Sequence, residues 1–269
     1  MNKEDKTGIF LTGGGGIGPF HIGFFKALEE LGIKYDVVCG GSIGAVIGGG
    51  STYLTAEEMM ETWHGLTLES VLKIDSNKIK GLKDTKRNLM LIKECILSCA
   101  RKDPNLMIDI NDIRKLLYDK LDGDRIKNSN IDFGVTTTVL PSFKLQQTFK
   151  EDMITNPLEY ILASLYMPVF SPQRIIDNKY YIDITRYRRY PIEMLKEKQC
   201  NKIYIVNLEA HNLNKFYKPI SKYFTNNEEI NIISYENCPS ILDFSEEMAE
   251  INYKNGYETT MNVLQRKRH

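Results

Sequence analysis

Two strand-like apolar runs near the start of the chain each lead into a glycine-rich turn and then into a helix-like segment. The first run covers 8–12 and is followed by glycines and by a segment, 18–31, whose apolar residues recur at helical spacing. The second covers 36–40, and helix-compatible residues begin at 43. Strands that alternate with helices predict parallel β-α-β units. We therefore expect an α/β fold, with a mainly parallel central sheet and helices on both of its faces.

The second turn contains a G-x-S-x-G match, in which Ser42 lies between Gly40 and Gly44. A turn of this kind, between a strand and a helix, holds its serine in a strained conformation that presents the hydroxyl. Glycines flank the serine because side chains there would collide with neighbouring backbone. Ser42 is therefore the candidate nucleophile, and Gly40 and Gly44 form its elbow. The pattern also occurs in ordinary loops, so it needs support from other residues.

The first turn offers backbone amides to an anion. Backbone N–H groups at the start of a helix point outward without partners and favour negative charge. Gly14, Gly15 and Gly16 are the candidate donors for an oxyanion hole. If the two strands are neighbours in a parallel sheet, both turns open at the same carboxyl edge, and these amides lie beside Ser42.

A dinucleotide site is the competing interpretation of the first turn. Gly13, Gly15 and Gly18 satisfy G-x-G-x-x-G directly after a strand. That fingerprint also requires an acidic residue at the end of the next strand, where it binds the ribose. The nearby candidate, Asp36, precedes the core of that strand instead of following it. Nucleotide binding through the loop is kept as an alternative function, although the acidic residue that would bind the ribose is missing from its expected position.

Together with two later segments, 163–172 and 180–183, these motifs occur in an order that resembles the patatin-like phospholipase family. The resemblance implies a three-layer patatin-like fold. It also implies a Ser-Asp dyad in which Asp183 is the partner of Ser42, with the glycine-rich loop as the oxyanion hole. The activity it implies is serine-dependent hydrolysis of acyl esters of phospholipids or related lipids.

The chain departs from the family pattern at several positions. In the best register Ile17 lies where the family usually has Arg or Lys, and sliding by one glycine places Gly18 there, so neither register supplies a cation. Ile184 and Thr185 replace two glycines after the aspartate, and Arg189 replaces an Asn that precedes Pro191. These replacements concern activity and leave the fold assignment intact. They favour, as an alternative, a catalytically weak or inactive lipid-binding or regulatory relative.

A Ser-Asp-His triad is the alternative mechanism, because Ser42, Asp183 and His211 follow the order of an α/β-hydrolase. In that fold, however, the serine follows a later strand, whereas here it follows the second. His211 is therefore expected in a surface loop. The arginines at 186, 188 and 189 could bind a lipid headgroup or could form a solvated loop.

Charge and cysteine content limit the partners and the compartment. Thirty-five basic and 35 acidic residues give a formal net charge of +0, so no bulk field attracts nucleic acid or an anionic membrane. Five widely spaced cysteines favour reduced thiols and a cytoplasmic location, with peripheral contact at membranes as an option. No apolar signal region or 18-residue apolar run is present. We expect a lipid or acyl-ester substrate and no nucleic acid partner.

No His or carboxylate pair has the spacing of metal ligands, so neither a metal nor a cofactor is expected. The 269 residues are expected to form a single patatin-like domain. A Lys-rich amphipathic stretch at about 55–125 predicts a helical insert or cap. Beyond it, the sequence predicts a strand pair at 135–140 and 144–149, a helix at 157–166 and a final helical segment at 242–265.

Overall fold

The computed structural model describes residues 5–72, 109–167, 170–183, 192–208, 228–236 and 238–266. Within these residues, seven strands form one sheet, in the order β4-β3-β2-β1-β6-β7, with β5 paired to β3. The strands are β1 (Thr7–Leu11), β2 (Val37–Gly40), β3 (Asp132–Leu140), β4 (Lys144–Phe149), β5 (Tyr180–Ile182), β6 (Lys202–Asn207) and β7 (Glu229–Ser234).

The described helices lie between and after these strands. They are α1 (Pro19–Glu30), α2 (Ile43–Ser51), α3 (Ala56–Trp63), α4 (Leu68–Leu72), α5 (Ile110–Lys120), α6 (Gly123–Asn128), α7 (Pro157–Ser164), α8 (Ile192–Glu197) and α9 (Glu246–Gln265). A 3-10 helix, Gly15–Ile17, precedes α1. The final helix begins at residue 246, later than the predicted 242, because the Ser245 side chain caps it by accepting a hydrogen bond from the Met248 amide.

The central strands run in parallel. β1 pairs with β2 and with β6, β2 pairs with β3, and β6 pairs with β7, all in parallel, whereas β4 and β5 run antiparallel to β3. The predicted α/β class with a mainly parallel sheet is therefore confirmed. Because β1 and β2 are neighbours, the two glycine turns that follow them open at the same carboxyl edge.

Both faces of the sheet are covered by apolar side chains, in keeping with the alternation of a strand. Ile9 and Leu11 of β1 belong to the larger hydrophobic core, on the side of α1, α2 and α7. Phe10 points to the opposite face, where it joins Met194 and Leu195 of α8. A parallel sheet that is buried on both faces accounts for the continuous apolar runs in the sequence.

The predicted helical insert at 55–125 is partly visible. Helices α3, α4, α5 and the start of α6 lie within it, and residues 73–108 fall outside the described part. Helix α5 packs against α7, and Arg114 forms an ion pair with Glu159 at 3.0 Å. Ile110, Ile113 and Leu117 are buried in the larger core. The described part of the insert is thus packed on the body of the molecule, and the single-domain assignment stays a prediction.

Candidate active site

Ser42 lies in a sharp turn between β2 and α2. Its backbone angles are φ 55° and ψ −133°, which is the left-handed half of the map that residues other than glycine seldom adopt. The residue is only 9% exposed. Such a conformation persists only when the surrounding structure holds it, and it is a feature of functional sites.

The two elbow glycines provide that support. A methyl group at Gly40 would lie 2.4 Å from the backbone of Gly44, and one at Gly44 would lie 2.4 Å from the carbonyl oxygen of Leu11. Both contacts are with backbone, which cannot move aside as a side chain can. The turn therefore packs directly on the end of β1, and the steric reason for glycine at both positions is present in the structure.

The glycine-rich loop begins where β1 ends and is stabilised from a distant part of the chain. The Gly16 amide donates a hydrogen bond to the carbonyl oxygen of Ile241 at 2.7 Å. A methyl group at Gly16 would lie 2.4 Å from the Asp243 carbonyl oxygen. The Gly16 carbonyl oxygen in turn accepts a long hydrogen bond, 3.5 Å, from the Asn252 side chain. Residues 241–243 and α9 thus fix the shape of the loop.

The predicted oxyanion donors differ in their partners. The Gly16 amide is already bonded to Ile241. The Gly14 and Gly15 amides have no acceptor within the described parts of the chain, and Gly15 adopts a positive φ of 54°. Two of the three predicted donors are therefore available to an anion in this conformation, and Gly16 instead anchors the loop.

The amide of Ile43 is a further candidate donor that the sequence analysis missed. Ile43 is the first residue of α2, directly after the nucleophile candidate, and no acceptor for its N–H is found in the described residues. First-turn amides of a helix have no intrahelical partner. The signal was present in the sequence, because in a G-x-S-x-G turn the residue after the serine supplies an oxyanion donor.

Asp183 follows β5, and the pairing of the strands shows how far along β3 it lies from Ser42. β4 and β5 both pair with Thr138 and Val139 of β3, so they lie on opposite edges of β3. β4 and β2 likewise share Val135, so β2 and β5 lie on the same edge. β2 ends with Gly40 opposite Val135, and β5 ends with Ile182 opposite Thr138. The three-residue offset on β3 corresponds to about 10 Å along the strand.

The ends of β2 and β5 thus face each other across a gap along this edge of β3. The chain enters the gap from β2 at residues 41–42 and from β5 at Asp183. The Asp183 amide donates to the carbonyl oxygen of Tyr166 at 2.6 Å, which holds the backbone there. The two predicted dyad residues therefore belong to strand ends that face each other along one edge of β3.

A cavity of about 10 Å³ lies beside Asp183, lined mainly by Thr136, Thr137, Thr138 and Ser164. The volume is about the least that accommodates one water molecule. All four residues are buried. Residues with hydroxyl groups thus line the cavity beside the half-buried Asp183, and the hydroxyls of Thr136, Thr137 and Ser164 donate to Met194 Sδ and to the carbonyl oxygens of Gln146 and Ile161.

His21, which the sequence analysis gave no role, supports the end of β1. The side chain is fully buried on α1, and its Nε2 lies 2.8 Å from the carbonyl oxygen of Thr12. Burial lowers its pKa to about 4, so the ring is neutral and donates from Nε2 to Thr12. The Nδ1 atom is buried without a partner in the described structure. No sequence pattern distinguishes such a histidine from a surface one.

Ile17 is completely buried in the larger core. The loop therefore has an apolar side chain at the position where the family usually has a cation. Asp36 lies at the opposite end of β2 from Ser42, and its carboxylate accepts a hydrogen bond from the Thr7 amide at 2.7 Å. It is too far along the strand to serve the glycine-rich loop, so the third element of a nucleotide site is absent there.

Several predicted residues lie outside the described structure, namely Ile184, Thr185, Arg186, Arg188, Arg189, Pro191 and His211. Among the residues that are described, no group of three His, Cys, Asp or Glu side chains is arranged to hold a metal ion. No helix in the same residues is both long and apolar enough to cross a bilayer.

The family model described as patatin-like phospholipase matches residues 9–195. The match includes both glycine turns, Ser42 and Asp183. Among curated proteins, the chain is 60% identical over 43 residues to a lysophospholipase nte1 of Emericella nidulans, covering 16% of this chain and 3% of that protein. It is 46% identical over 56 residues to a lysophospholipase NTE1 of Mycosarcoma maydis, covering 21% and 3%. The alignments thus span a small fraction of these relatives.

Solved structures of bacterial proteins share the fold. VipD from Legionella pneumophila aligns with a TM-score of 0.53 at 15% identity, covering 98% of this chain and 67% of VipD. ExoU in its heterodimeric complex with SpcU from the type III secretion system of Pseudomonas aeruginosa aligns with a TM-score of 0.54 at 15% identity, covering 97% of this chain and 52% of the other. At such identity the likeness concerns the fold.

Proposed function

Because the chain belongs to the patatin-like phospholipase family, a family of lipid ester hydrolases, we propose that it cleaves acyl ester bonds of phospholipids or related lipids with Ser42 and Asp183. One observation carries the assignment of these two residues. The strands that precede them end facing each other on the same edge of β3. The strained turn at Ser42 and the free amides beside it support the same site.

In the proposed reaction the Ser42 hydroxyl attacks the carbonyl carbon of the ester while the Asp183 carboxylate accepts its proton. The tetrahedral intermediate collapses, the proton passes from Asp183 to the departing alcohol, and the acyl group remains on Ser42. Water then attacks the acyl-enzyme, Asp183 again accepts a proton, and the fatty acid leaves. Serine is restored when Asp183 returns the proton to its oxygen.

Amides stabilise the negative charge that develops on the carbonyl oxygen. Gly14 and Gly15 donate from the glycine-rich loop, and Ile43 donates from the start of α2. Each donor of this kind contributes about 100- to 1000-fold to the rate. Because Ile17 is buried and apolar, backbone N–H groups and the helix dipole provide this stabilisation without a side-chain cation at that position.

A reducing, cytoplasmic location is part of the proposal. Cys39, Cys200 and Cys238 carry free thiols in the described structure. Burial raises the pKa of the Cys39 thiol well above its usual value and raises the pKa of Cys200 to about 11. Such thiols are unreactive, and their role is packing, which suits a compartment where disulfides do not form.

Labelling with a fluorophosphonate tests the nucleophile directly. We expect the probe to modify Ser42 and the label to disappear in Ser42→Ala, with kcat on lysophospholipid or phospholipid lowered by at least about 1000-fold. The matched control is Ser51→Ala, which removes a buried serine at the far end of the same helix. It should keep both the label and the turnover.

Two results would count against the proposal. Equal labelling of the wild type and Ser42→Ala would show that another residue is the nucleophile. An unlabelled Ser42, together with no turnover of phospholipids, lysophospholipids or short acyl esters, would instead support the inactive lipid-binding alternative. Comparing those three substrate classes also identifies the preferred ester.

A further inference from the structure

The β3-β4 hairpin extends beyond the end of β2 at the carboxyl edge of the sheet. β2 ends opposite Val135, whereas β3 continues to Leu140, which pairs with Tyr180 at the start of β5. Five residues of strand correspond to about 17 Å. We call residues 140–144 and 174–180 the hairpin tip. It projects from the edge at which the Ser42 turn opens.

Two aromatic side chains of the hairpin tip are exposed. Phe143 is 64% exposed and Tyr180 is 38% exposed, and neither belongs to a hydrophobic core of the described residues. Phe143 also has a φ of 51°, a conformation that favours Gly or Asn and disfavours a bulky residue. Neither burial nor backbone conformation therefore accounts for phenylalanine at this position.

Basic side chains surround these aromatics. The hairpin tip contains Lys144, Arg174 and Lys179 against one acid, Asp177, so its formal charge is 3 − 1 = +2 in a chain of zero net charge. Lys179 forms an ion pair with Asp177. The Arg174 guanidinium lies 5.4 Å from the centre of the Tyr180 ring, and Lys144 is exposed. Two cations are thus left without a carboxylate partner among the described residues.

We propose that the hairpin tip docks on the surface of an anionic phospholipid bilayer. Phe143 enters the interface, and Lys144 and Arg174 contact lipid phosphates. Aromatic rings with a cationic rim match a bilayer surface, which is apolar beneath a layer of negative charge. Docking in this orientation turns the edge that contains Ser42 toward the lipid. The inference rests on the proposed lipid hydrolase function, because it explains how the site reaches its substrate.

Vesicle binding tests the contact without turnover. The full chain bearing Ser42→Ala is mixed with vesicles of phosphatidylcholine and phosphatidylglycerol, and the bound fraction is measured by sedimentation. Adding Phe143→Asn, which suits the positive φ, should weaken partitioning by about tenfold. The control Ile154→Asn removes a side chain that is 74% exposed after the opposite end of β4, and it should leave binding unchanged.

Charge provides a second test. Lys144→Gln and Arg174→Gln should each weaken binding to the anionic vesicles by about fivefold at low salt. Neither should affect binding to pure phosphatidylcholine. Equal binding by the Phe143→Asn and Ile154→Asn proteins, or no binding to anionic vesicles at all, would overturn the proposal and leave a protein partner as the occupant of the tip.

Activity separates this inference from the proposed function. In the chain with intact Ser42, Phe143→Asn should reduce turnover of phospholipid in vesicles and leave turnover of a soluble short-chain ester unchanged. An equal reduction for both substrates would contradict a docking role. If the fluorophosphonate fails to label Ser42 while vesicle binding still depends on Phe143, the hydrolase proposal fails and the docking surface stands.

Discussion

The serine turn, residues 40–44, and the aspartate end, residues 180–183, hold the two dyad candidates in contrasting ways. The turn follows a strand at the centre of the sheet and packs backbone against backbone, leaving no room for a methyl group at Gly40 or Gly44. The aspartate end follows a three-residue strand that pairs with β3, and the Asp183 amide donates a hydrogen bond to the carbonyl oxygen of Tyr166. The backbone at Ser42 is therefore fixed by close packing of backbone against backbone, whereas the backbone at Asp183 is held by strand pairing and hydrogen bonding.

The largest expected effect comes from removing the proposed base, Asp183. Asp183→Asn keeps the shape of the side chain and removes the proton acceptor, so we expect kcat to fall by about 1000-fold, about 4 kcal/mol, with little change in melting temperature. Asp152→Asn, an exposed position after β4, is the control and should retain activity. An Asp183→Asn enzyme with normal kcat would show that the aspartate end does not supply the base.

Measuring the free energy of unfolding as a function of pH tests the buried, neutral His21 that supports the end of β1. The pKa of His21 is lowered from 6.5 to about 4 by burial, so the unfolded chain takes up a proton at a higher pH than the folded protein does. Its contribution to the free energy of unfolding is full above about pH 6.5, falls as the pH drops toward 4, and amounts to about 3 kcal/mol.

Urea unfolding at about pH 7 and about pH 4 measures this loss. His21→Gln, whose amide can still donate to Thr12, should remove the His21 part of the pH dependence. His64→Gln changes an exposed histidine and should preserve it. Identical pH profiles for the wild type and His21→Gln would refute the buried neutral ring.

Backbone packing is tested by adding one methyl group. Gly44→Ala places that group against the Leu11 carbonyl, and we expect the free energy of unfolding to fall by about 2 kcal/mol. Gly50→Ala lies in the same helix with its nearest neighbour at 3.5 Å, and it should be neutral or stabilising by up to about 1 kcal/mol. If both variants lose the same stability, the close approach at the turn is not what requires glycine.

The smallest effect concerns the strain at the nucleophile itself. Ser42→Gly should abolish labelling and also raise the free energy of unfolding by about 1 kcal/mol, because glycine adopts a φ of 55° without steric cost. Ser42→Ala removes the same hydroxyl and keeps the strain, so it is the reference for the measurement. Equal stability of the two variants would mean that the turn stores no strain.

The same contrast explains what the sequence could predict. The serine turn and its neighbouring strands were predicted from local spacing, because the contacts that require Gly40 and Gly44 come from adjacent elements. Asp183 was assigned through resemblance to a family, because no local pattern identifies it. Its position along the sheet depends on the antiparallel pairing of β5 with β3, which is more than 40 residues earlier in the sequence. The hydrogen bond that occupies the Gly16 amide depends on Ile241, which no local pattern connects to the loop.

The anchoring of the glycine-rich loop by residues 241–243 has a consequence for biosynthesis. Ser42 is synthesised before residue 241, and the hydrogen bond from Gly16 to Ile241 and the contact with Asn252 form only after these later residues have folded back onto the loop. These anchors lie beyond the stretch matched by the family model, which ends at residue 195. A nascent chain that has not reached residue 241 would therefore contain the Ser42 turn beside a glycine-rich loop that lacks these anchors.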